Sequence, residues 1–180
     1  MPSPIAHLAA GYAVYRLSCN HEPQLTMQSI GSAPRLLVVT AVFSLLPDID
    51  SAIGFLTGDF GRFHNNATHS LIAGAFFSLI FAALMWWRGR QGFLYWFAVA
   101  MVSYSLHIMM DAATVSRGVM ALWPFTDTRY LFPVTLFYGL HWSDGWLSIR
   151  HLWTLLTELL FLALVLGLLQ LQPQRAAVKS

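Results

Sequence analysis

Charged residues are scarce in this sequence of 180 residues: Asp, Glu, Lys and Arg make up only 10% of it, whereas hydrophobic residues make up 57%. A soluble globular domain carries about 25% charged residues, so ionised side chains cannot cover the exterior of this fold. The mean hydropathy of +0.58 indicates that part of the solvent is lipid. The length suits one domain, and we expect residues 1–180 to form a single membrane-embedded helical domain.

Cysteine is nearly missing as well, since Cys19 is the only one. A single cysteine excludes an internal disulfide and a cysteine-rich zinc site. The basic residues form no long run, so we expect no nucleic-acid partner, and nothing in the sequence indicates a protein partner. The His-Glu-x-x-His motif of zincin proteases and the Gly-x-Ser-x-Gly nucleophile elbow are both absent, so the sequence predicts neither of these hydrolase classes.

Five apolar stretches are present, and they predict an all-α, multi-pass bundle in a membrane. About 20 residues are needed to cross a bilayer as a helix. Two stretches are short against that length and three come close to it or reach it. The short ones cover residues 5–17 and 36–46, and the long ones cover residues 71–87, 93–110 and 152–171.

The arginines set the expected orientation through the positive-inside rule. Alternation through five helices places six basic residues in the cytoplasm, namely Arg16, Arg35, Arg88, Arg90, Arg175 and Lys179. It places Arg62, Arg117, Arg129 and Arg150 outside, together with the 48–69 loop and the 112–150 segment. That outer segment is rich in aromatic residues, which is typical of an interfacial belt and would also suit a lid over an apolar substrate.

Seven ionisable side chains fall at ends of apolar stretches that this alternation brings to the outer face. They are His7, Asp48, Asp50, His64, His69, His107 and Asp111. Ionisable groups beside hydrocarbon are costly to bury and usually mark a functional site. A bound metal ion is the simplest compensation, and imidazole combined with carboxylate suits Zn, Mn or Fe.

The spacing of these residues supports a metal site. His107 and Asp111 are four residues apart on a predicted helix, so they share one face and can hold one ion. Asp48 and Asp50 are two residues apart just past the second stretch, a loop spacing that can bridge two ions or divide the roles of ligand and base. Seven candidate ligands exceed the three or four that one zinc ion needs, which favours a pair of ions.

Plain structural interpretations stay open at the level of sequence. His7 can be an interfacial histidine, and Asp48 with Asp50 can form a turn and a helix cap. His107 and Asp111 can form a hydrogen-bonded pair without metal. Glu158 lies deep in the fifth stretch and requires a partner that the spacing does not identify.

The same residues resemble the YdjM family of inner-membrane, metal-dependent hydrolases. The matching pieces are His7, Pro47–Asp50, His64–Ser70, His107–Asp111 and Trp123–Phe125. The resemblance implies a bacterial-type inner membrane and metal-dependent hydrolysis. That family is in turn similar to the zinc-dependent phospholipase C and single-strand nuclease superfamily, whose helical members hold up to three zinc ions through His and Asp. Asp50, His64, His107 and Asp111 match that superfamily's arrangement, whereas its later His-x3-Glu is missing here.

These observations lead to two hypotheses of different class. The first is a membrane-surface hydrolase with one to three divalent ions, most simply zinc, that cleaves a phosphoester of a lipid or lipid-linked substrate. Asp48 or Asp50 would orient or deprotonate the attacking water, and Arg62 or Arg117 would hold the phosphate. The second is a non-catalytic metal-binding or adaptor protein, or a small metal transporter. A transporter should carry its ligands near the bilayer midplane, where Glu158 is the residue that favours it.

Overall fold

The structure, a computed structural model, describes residues 1–21, 33–58, 64–90, 92–140 and 148–171, and they form a helical bundle. Its helices are α1 (Pro4–His21), α2 (Ala33–Leu45), α3 (Ile49–Thr57), α4 (Leu71–Trp87), α5 (Phe93–Ala112) and α6 (Arg150–Gln170). Short 3-10 turns occupy Leu46–Asp48 and Ala67–His69. Within the described residues, β structure is limited to two isolated bridges. The all-α fold predicted from the apolar stretches is confirmed.

Three helical stretches are long and apolar enough to cross a membrane. They cover Pro34–Gly54, Phe93–Ala112 and Arg150–Gln170, while the apolar α4 is shorter at 17 residues. The prediction of a short second helix followed by a loop was wrong, because α2 continues through the 3-10 turn into α3. Pro47 permits this continuation since proline in the first turn of a helical segment lacks only an N–H that would be unpaired there. Asp48 and Asp50 therefore lie on helical backbone.

Small residues let the helices approach closely next to the ionisable residues. A Cβ added to Gly11 of α1 would lie 2.9 Å from the Thr40 carbonyl oxygen of α2 and 2.7 Å from the Ser44 hydroxyl. A Cβ at Gly74 of α4 would lie 2.7 Å from the Tyr104 ring of α5. Because lipid provides little hydrophobic drive between helices, close backbone contact of this kind is a main source of packing energy in membranes.

The irregular 113–140 segment folds back over one end of the bundle. Its backbone is hydrogen bonded to the C-terminal end of α5, from Phe132 N–H to the Ala112 oxygen at 2.9 Å and from Leu136 N–H to the Ala113 oxygen at 2.8 Å. Leu71 N–H, at the start of α4, donates to the Ala121 oxygen at 2.9 Å. This covering segment (residues 113–140) thus lies over the end of the bundle where α5 ends and α4 begins.

Candidate metal centre

The structure brings all seven predicted metal ligands together at that covered end. The start of α1 carries His7, the end of α5 carries His107 and Asp111, and the remaining four lie in the 46–50 and 64–69 stretches. His7, His69, His107 and Asp111 are fully buried at 0% exposure. Helix ends that are distant in sequence meet here because neighbouring helices run in alternating directions.

Asp50 orients two of the histidines. Its two carboxylate oxygens lie 3.1 Å from Nδ1 of His64 and 3.1 Å from Nδ1 of His69. The Thr68 hydroxyl donates a further hydrogen bond to Asp50 at 2.6 Å. A carboxylate can only accept, so each ring donates from Nδ1 and presents Nε2 on its other side. Carboxylates commonly fix metal-binding histidines in this way.

His107 is held in the same tautomer by the backbone. Its Nδ1 donates to the Ser44 carbonyl oxygen at 2.7 Å, where α2 ends. Its Nε2 lies 3.2 Å from Nε2 of His69. Two neutral rings in these tautomers would point lone pairs at each other, so the space between them requires positive charge, either a proton or a metal ion.

Two carboxylates complete a four-residue group around that space. Asp48 Oδ1 lies 3.6 Å from His69 Nε2 and 3.5 Å from His107 Nε2. Asp111 Oδ2 lies 3.1 Å from His69 Nε2 and 3.7 Å from His107 Nε2. Ligand atoms about 2.1 Å from a tetrahedral zinc ion lie about 3.4 Å from one another. The four residues, Asp48, His69, His107 and Asp111, are therefore spaced to hold one such ion.

His7 and His64 flank this group. The His7 ring stacks on the His107 ring with centroids 3.7 Å apart, and its Nε2 lies 3.6 Å from Asp111 Oδ1. His64 Nε2 lies 3.8 Å from Asp111 Oδ2. Neither Nε2 has a hydrogen-bond partner among the described residues, and the same holds for Asp48 Oδ1 and both Asp111 oxygens. An unsatisfied buried polar group costs about 1–3 kcal/mol, so this set of atoms fits a cation.

A second group, Asp50, His64 and His69, also lies close enough to hold an ion. In this group the carboxylate already accepts hydrogen bonds from Nδ1 of both rings. An ion there would displace those two protons, and His69 would have to bind through both ring nitrogens to serve both groups. The geometry therefore favours the first group as the principal ion site.

The electrostatic environment of His69 also favours a cation at the first group. Burial lowers the pKa of this imidazole, but the carboxylates of Asp111, Asp48 and Asp50 outweigh burial and hold that pKa well above its usual value. The three carboxylates thus favour positive charge at this position. A divalent cation would supply that charge in place of a proton.

Two arginines from the covering segment hold the loop that carries His64. The Arg117 guanidinium donates to the His64 carbonyl oxygen, and Arg129 donates to the Asn65 carbonyl oxygen at 3.1 Å. Asn65 has a positive φ of 61°, a left-handed conformation that asparagine tolerates well. Desolvation, together with the nearby charge of Arg117, lowers the pKa of Arg129. The two guanidiniums therefore lie near each other beside the metal-binding residues.

Sequence reasoning predicted Arg117 as a candidate ligand for phosphate but missed Arg129. No motif spacing marks Arg129, and its only signal was its place on the predicted outer side. Arg62, the other predicted phosphate ligand, lies outside the described residues. Ser44 and Thr68 were also missed, because they act through a carbonyl and a hydroxyl on residues that lie near the histidines only in the folded chain.

Glu158 has a partner that spacing could not reveal. Its carboxylate accepts from the Ser3 backbone N–H at 2.5 Å and from the Ser3 hydroxyl. Glu158 is 2% exposed, and α6 packs on α1 along this contact. The Glu158 carboxylate thus connects α6 to the beginning of α1.

Comparisons with known proteins agree with a membrane location. A family model described as the YdjM inner membrane protein matches residues 1–177. The inner membrane protein YbcI of Escherichia coli (strain K12) is 30% identical over 140 residues, which cover 74% of this chain and 73% of that relative. No solved structure matches the chain. The chain belongs to the YdjM inner membrane protein family, and its relation to the phospholipase C superfamily stays a prediction.

Proposed function

We propose that this member of the YdjM inner membrane protein family is a metal-dependent hydrolase that cleaves a phosphoester of a lipid or lipid-linked substrate. The observation that carries the proposal is the convergence of Nε2 of His69 and Nε2 of His107 with carboxylate oxygens of Asp48 and Asp111. Zinc suits four N and O ligands at this spacing, with Mn and Fe as alternatives. By the positive-inside rule the site would lie at the outer face of the membrane.

The proposal assigns a separate role to each residue of the cluster. Asp48, His69, His107 and Asp111 would hold the principal ion, and Asp50 would orient His64 and His69. His7 and His64 would flank this ion beside Asp111, and a second ion would use the group of Asp50, His64 and His69. A divalent ion in such a site lowers the pKa of a bound water toward 7 and neutralises charge on phosphate oxygens.

Asp48 is the best candidate for the general base. Its side chain is 15% exposed, whereas that of Asp111 is 0% exposed. Both oxygens of Asp50 already accept hydrogen bonds from the two histidines. Water and substrate can therefore reach Asp48 from outside. Its Oδ1 would bind the ion, and its other oxygen would receive the proton of the attacking water. Arg117, which is exposed beside the His64 loop, would hold the phosphate.

The proposal of a lipid substrate is supported by an apolar cavity next to the cluster. It has a volume of about 410 Å³ and lies between α1, α5, α6 and the covering segment. Ala10, Met110, Phe137 and Phe161 line it, and Met110 immediately precedes Asp111. An acyl chain entering from the lipid between α1 and α6 would bring its headgroup to the metal-binding residues.

A hydrolysis assay with purified, metal-loaded protein tests the proposal. The panel should contain phospholipids, lipid-linked phosphates and soluble phosphoesters, with the metal content of every sample measured in parallel. We expect turnover by the wild type and a loss of about 10²–10⁴-fold in Asp48→Asn at retained metal content if Asp48 is the base, whereas loss of the metal would show that Asp48 acts mainly as a ligand. Asp127→Asn, an exposed carboxylate of the covering segment, is the matched control. A metal-loaded wild type that cleaves no member of the panel would contradict hydrolysis and leave a metal-binding protein.

Metal transport is less well supported. The metal-binding residues gather at one end of the bundle, whereas transporters bind their substrates near the midplane. Glu158, the residue that favoured transport, is engaged by Ser3. Uptake of zinc into proteoliposomes that Glu158→Ala abolishes and Asp50→Ala spares would reverse this preference.

A further inference from the structure

A second candidate site lies at the other end of the bundle from the His and Asp cluster. It is a cavity of about 670 Å³ between the start of α2, the end of α4 and the start of α5. The cluster residues on α5 occupy the opposite end of that helix, and α4 begins beside the cluster. The cavity is therefore separated from the proposed hydrolytic site by most of the length of these helices.

Three guanidiniums surround this cavity. Arg35 comes from α2, and Arg88 and Arg90 come from the turn that follows α4. Within the described part of the chain, no acidic residue lines the cavity. The positive charges of Arg88 and Arg90 at this cavity favour an anion, and guanidinium matches the oxygens of a phosphate group.

Trp96 lines the same cavity and carries a buried hydrogen-bond donor. This residue is 3% exposed, and its ring is held edge-on to Phe81 with centroids 5.5 Å apart. The indole nitrogen can only donate, and in the part of the chain that the structure describes it has no acceptor. A buried donor of this kind costs free energy unless a ligand or water accepts from it.

The remaining wall is apolar and partly exposed. Val38, Phe81 and Met85 line it, and the Val38 side chain is 60% exposed. A free phosphate would leave this wall uncovered, whereas a phospholipid would place its headgroup between the arginines and an acyl chain along the wall. Basic pockets between membrane helices are known sites for anionic lipid headgroups.

We propose that this cavity binds the headgroup of an anionic phospholipid at the membrane face opposite the metal centre. The arginines would hold the phosphate, and Trp96 Nε1–H would donate to a headgroup oxygen. This inference does not depend on hydrolysis, since none of the cavity residues belongs to the metal-binding cluster.

Native mass spectrometry of the full chain tests the proposal. The protein would be exchanged into detergent with equal amounts of phosphatidylglycerol and phosphatidylcholine, and retained lipids would be counted. We expect the wild type to retain one phosphatidylglycerol in preference to phosphatidylcholine. Each arginine removed should weaken that preference about fivefold, so Arg88→Gln with Arg90→Gln should weaken it about 25-fold.

Two further variants separate this site from general surface charge. Trp96→Phe keeps an aromatic ring against Phe81 but removes the N–H donor, and it should weaken retention several-fold. Arg16→Gln is the matched control, because Arg16 lies at the same end of the bundle but pairs with Tyr12 through a hydrogen bond of 3.0 Å. It should leave retention unchanged.

Three results would overturn the proposal. The first is equal retention of the two lipids by the wild type, and the second is an equal loss in Arg16→Gln and in the double variant. The third is displacement of phosphatidylglycerol by an excess of inorganic phosphate, which would show that a free anion is the ligand. Thermal unfolding of each variant checks that the bundle is intact.

Discussion

His69 and His107 face each other through their Nε2 atoms at 3.2 Å, although both rings are fully buried and both donate from Nδ1. This contact requires a positive charge between the two nitrogens. One carboxylate oxygen of Asp48 and one of Asp111 each lie within 3.7 Å of both nitrogens. Four ligand atoms at these separations explain why so many ionisable groups are buried in a chain with so little charge.

The metal content of purified protein should depend on both of these histidines. Removal of a residue that only orients a metal ligand lowers metal affinity about 10–100-fold. We expect His107→Ala or His69→Ala, which removes a ligand itself, to lower metal affinity more than this. Elemental analysis of protein purified in detergent measures this, and His69→Ala with His107→Ala is the strongest variant. His151→Ala, outside both candidate metal-binding groups, is the control. Wild-type protein without stoichiometric metal would argue against the site.

Asp50→Asn distinguishes an orienting carboxylate from a metal ligand. An amide keeps one acceptor but can turn its NH₂ toward Nδ1 of His64 or His69, which disfavours the tautomer that presents Nε2 to the ion. We expect metal affinity to fall about 10–100-fold while the stoichiometry stays unchanged. Competition with a chromophoric chelator gives the affinity. Loss of a whole ion per chain would instead mean that Asp50 is itself a ligand.

Metal affinity should decrease as the pH falls. The carboxylates around His69 raise its pKa, so a proton occupies the cluster below that pKa and the ion must displace it. One displaced proton changes the apparent affinity about tenfold per pH unit. Chelator competition at about pH 6 and about pH 8 measures the slope. An affinity independent of pH would show that no ligand proton is displaced.

Glu158→Gln should affect stability and leave metal binding intact. The substitution replaces one acceptor by a donor that faces the Ser3 N–H or hydroxyl inside the bundle. We expect a loss of about 1–3 kcal/mol in the free energy of unfolding. Thermal unfolding in detergent and elemental analysis give the two readouts. Ser3→Ala, which removes only the hydroxyl, should cost less, and unchanged stability in both variants would contradict the assignment.

A pair of glycine substitutions tests the close contact between α1 and α2. Gly11→Ala would place a Cβ 2.9 Å from the Thr40 oxygen, so α1 must move and the free energy of unfolding should fall by about 1–3 kcal/mol. A Cβ at Gly167 of α6 meets no described atom within 4 Å, so Gly167→Ala should be neutral or stabilising by up to about 1 kcal/mol. Equal effects of the two variants would show that helix propensity, and not the contact, decides the outcome.

Much of the fold could be predicted because local composition and hydropathy determine it. Low charge and five apolar stretches indicate lipid as solvent, and the predicted 71–87 stretch has the bounds of α4 itself. The second helix was predicted too short, since Pro47 and two aspartates are typical of a loop. The 3-10 turn Leu46–Asp48 packs against α5, a tertiary contact that no local pattern records, and the backbone continues beyond it as a helix to Thr57.

The sequence by itself determined which residues gather at the site, because alternating helices must bring His7, Asp50, His69 and His107 to one end. Only the tertiary structure decided what each residue does there. A carboxylate becomes an orienting group or a ligand according to which atoms lie within about 3 Å of it, and sequence spacing contains no such distance between separate helices. For the same reason, the contact of Glu158 with Ser3 and the basic cavity around Trp96 could not be predicted from the sequence.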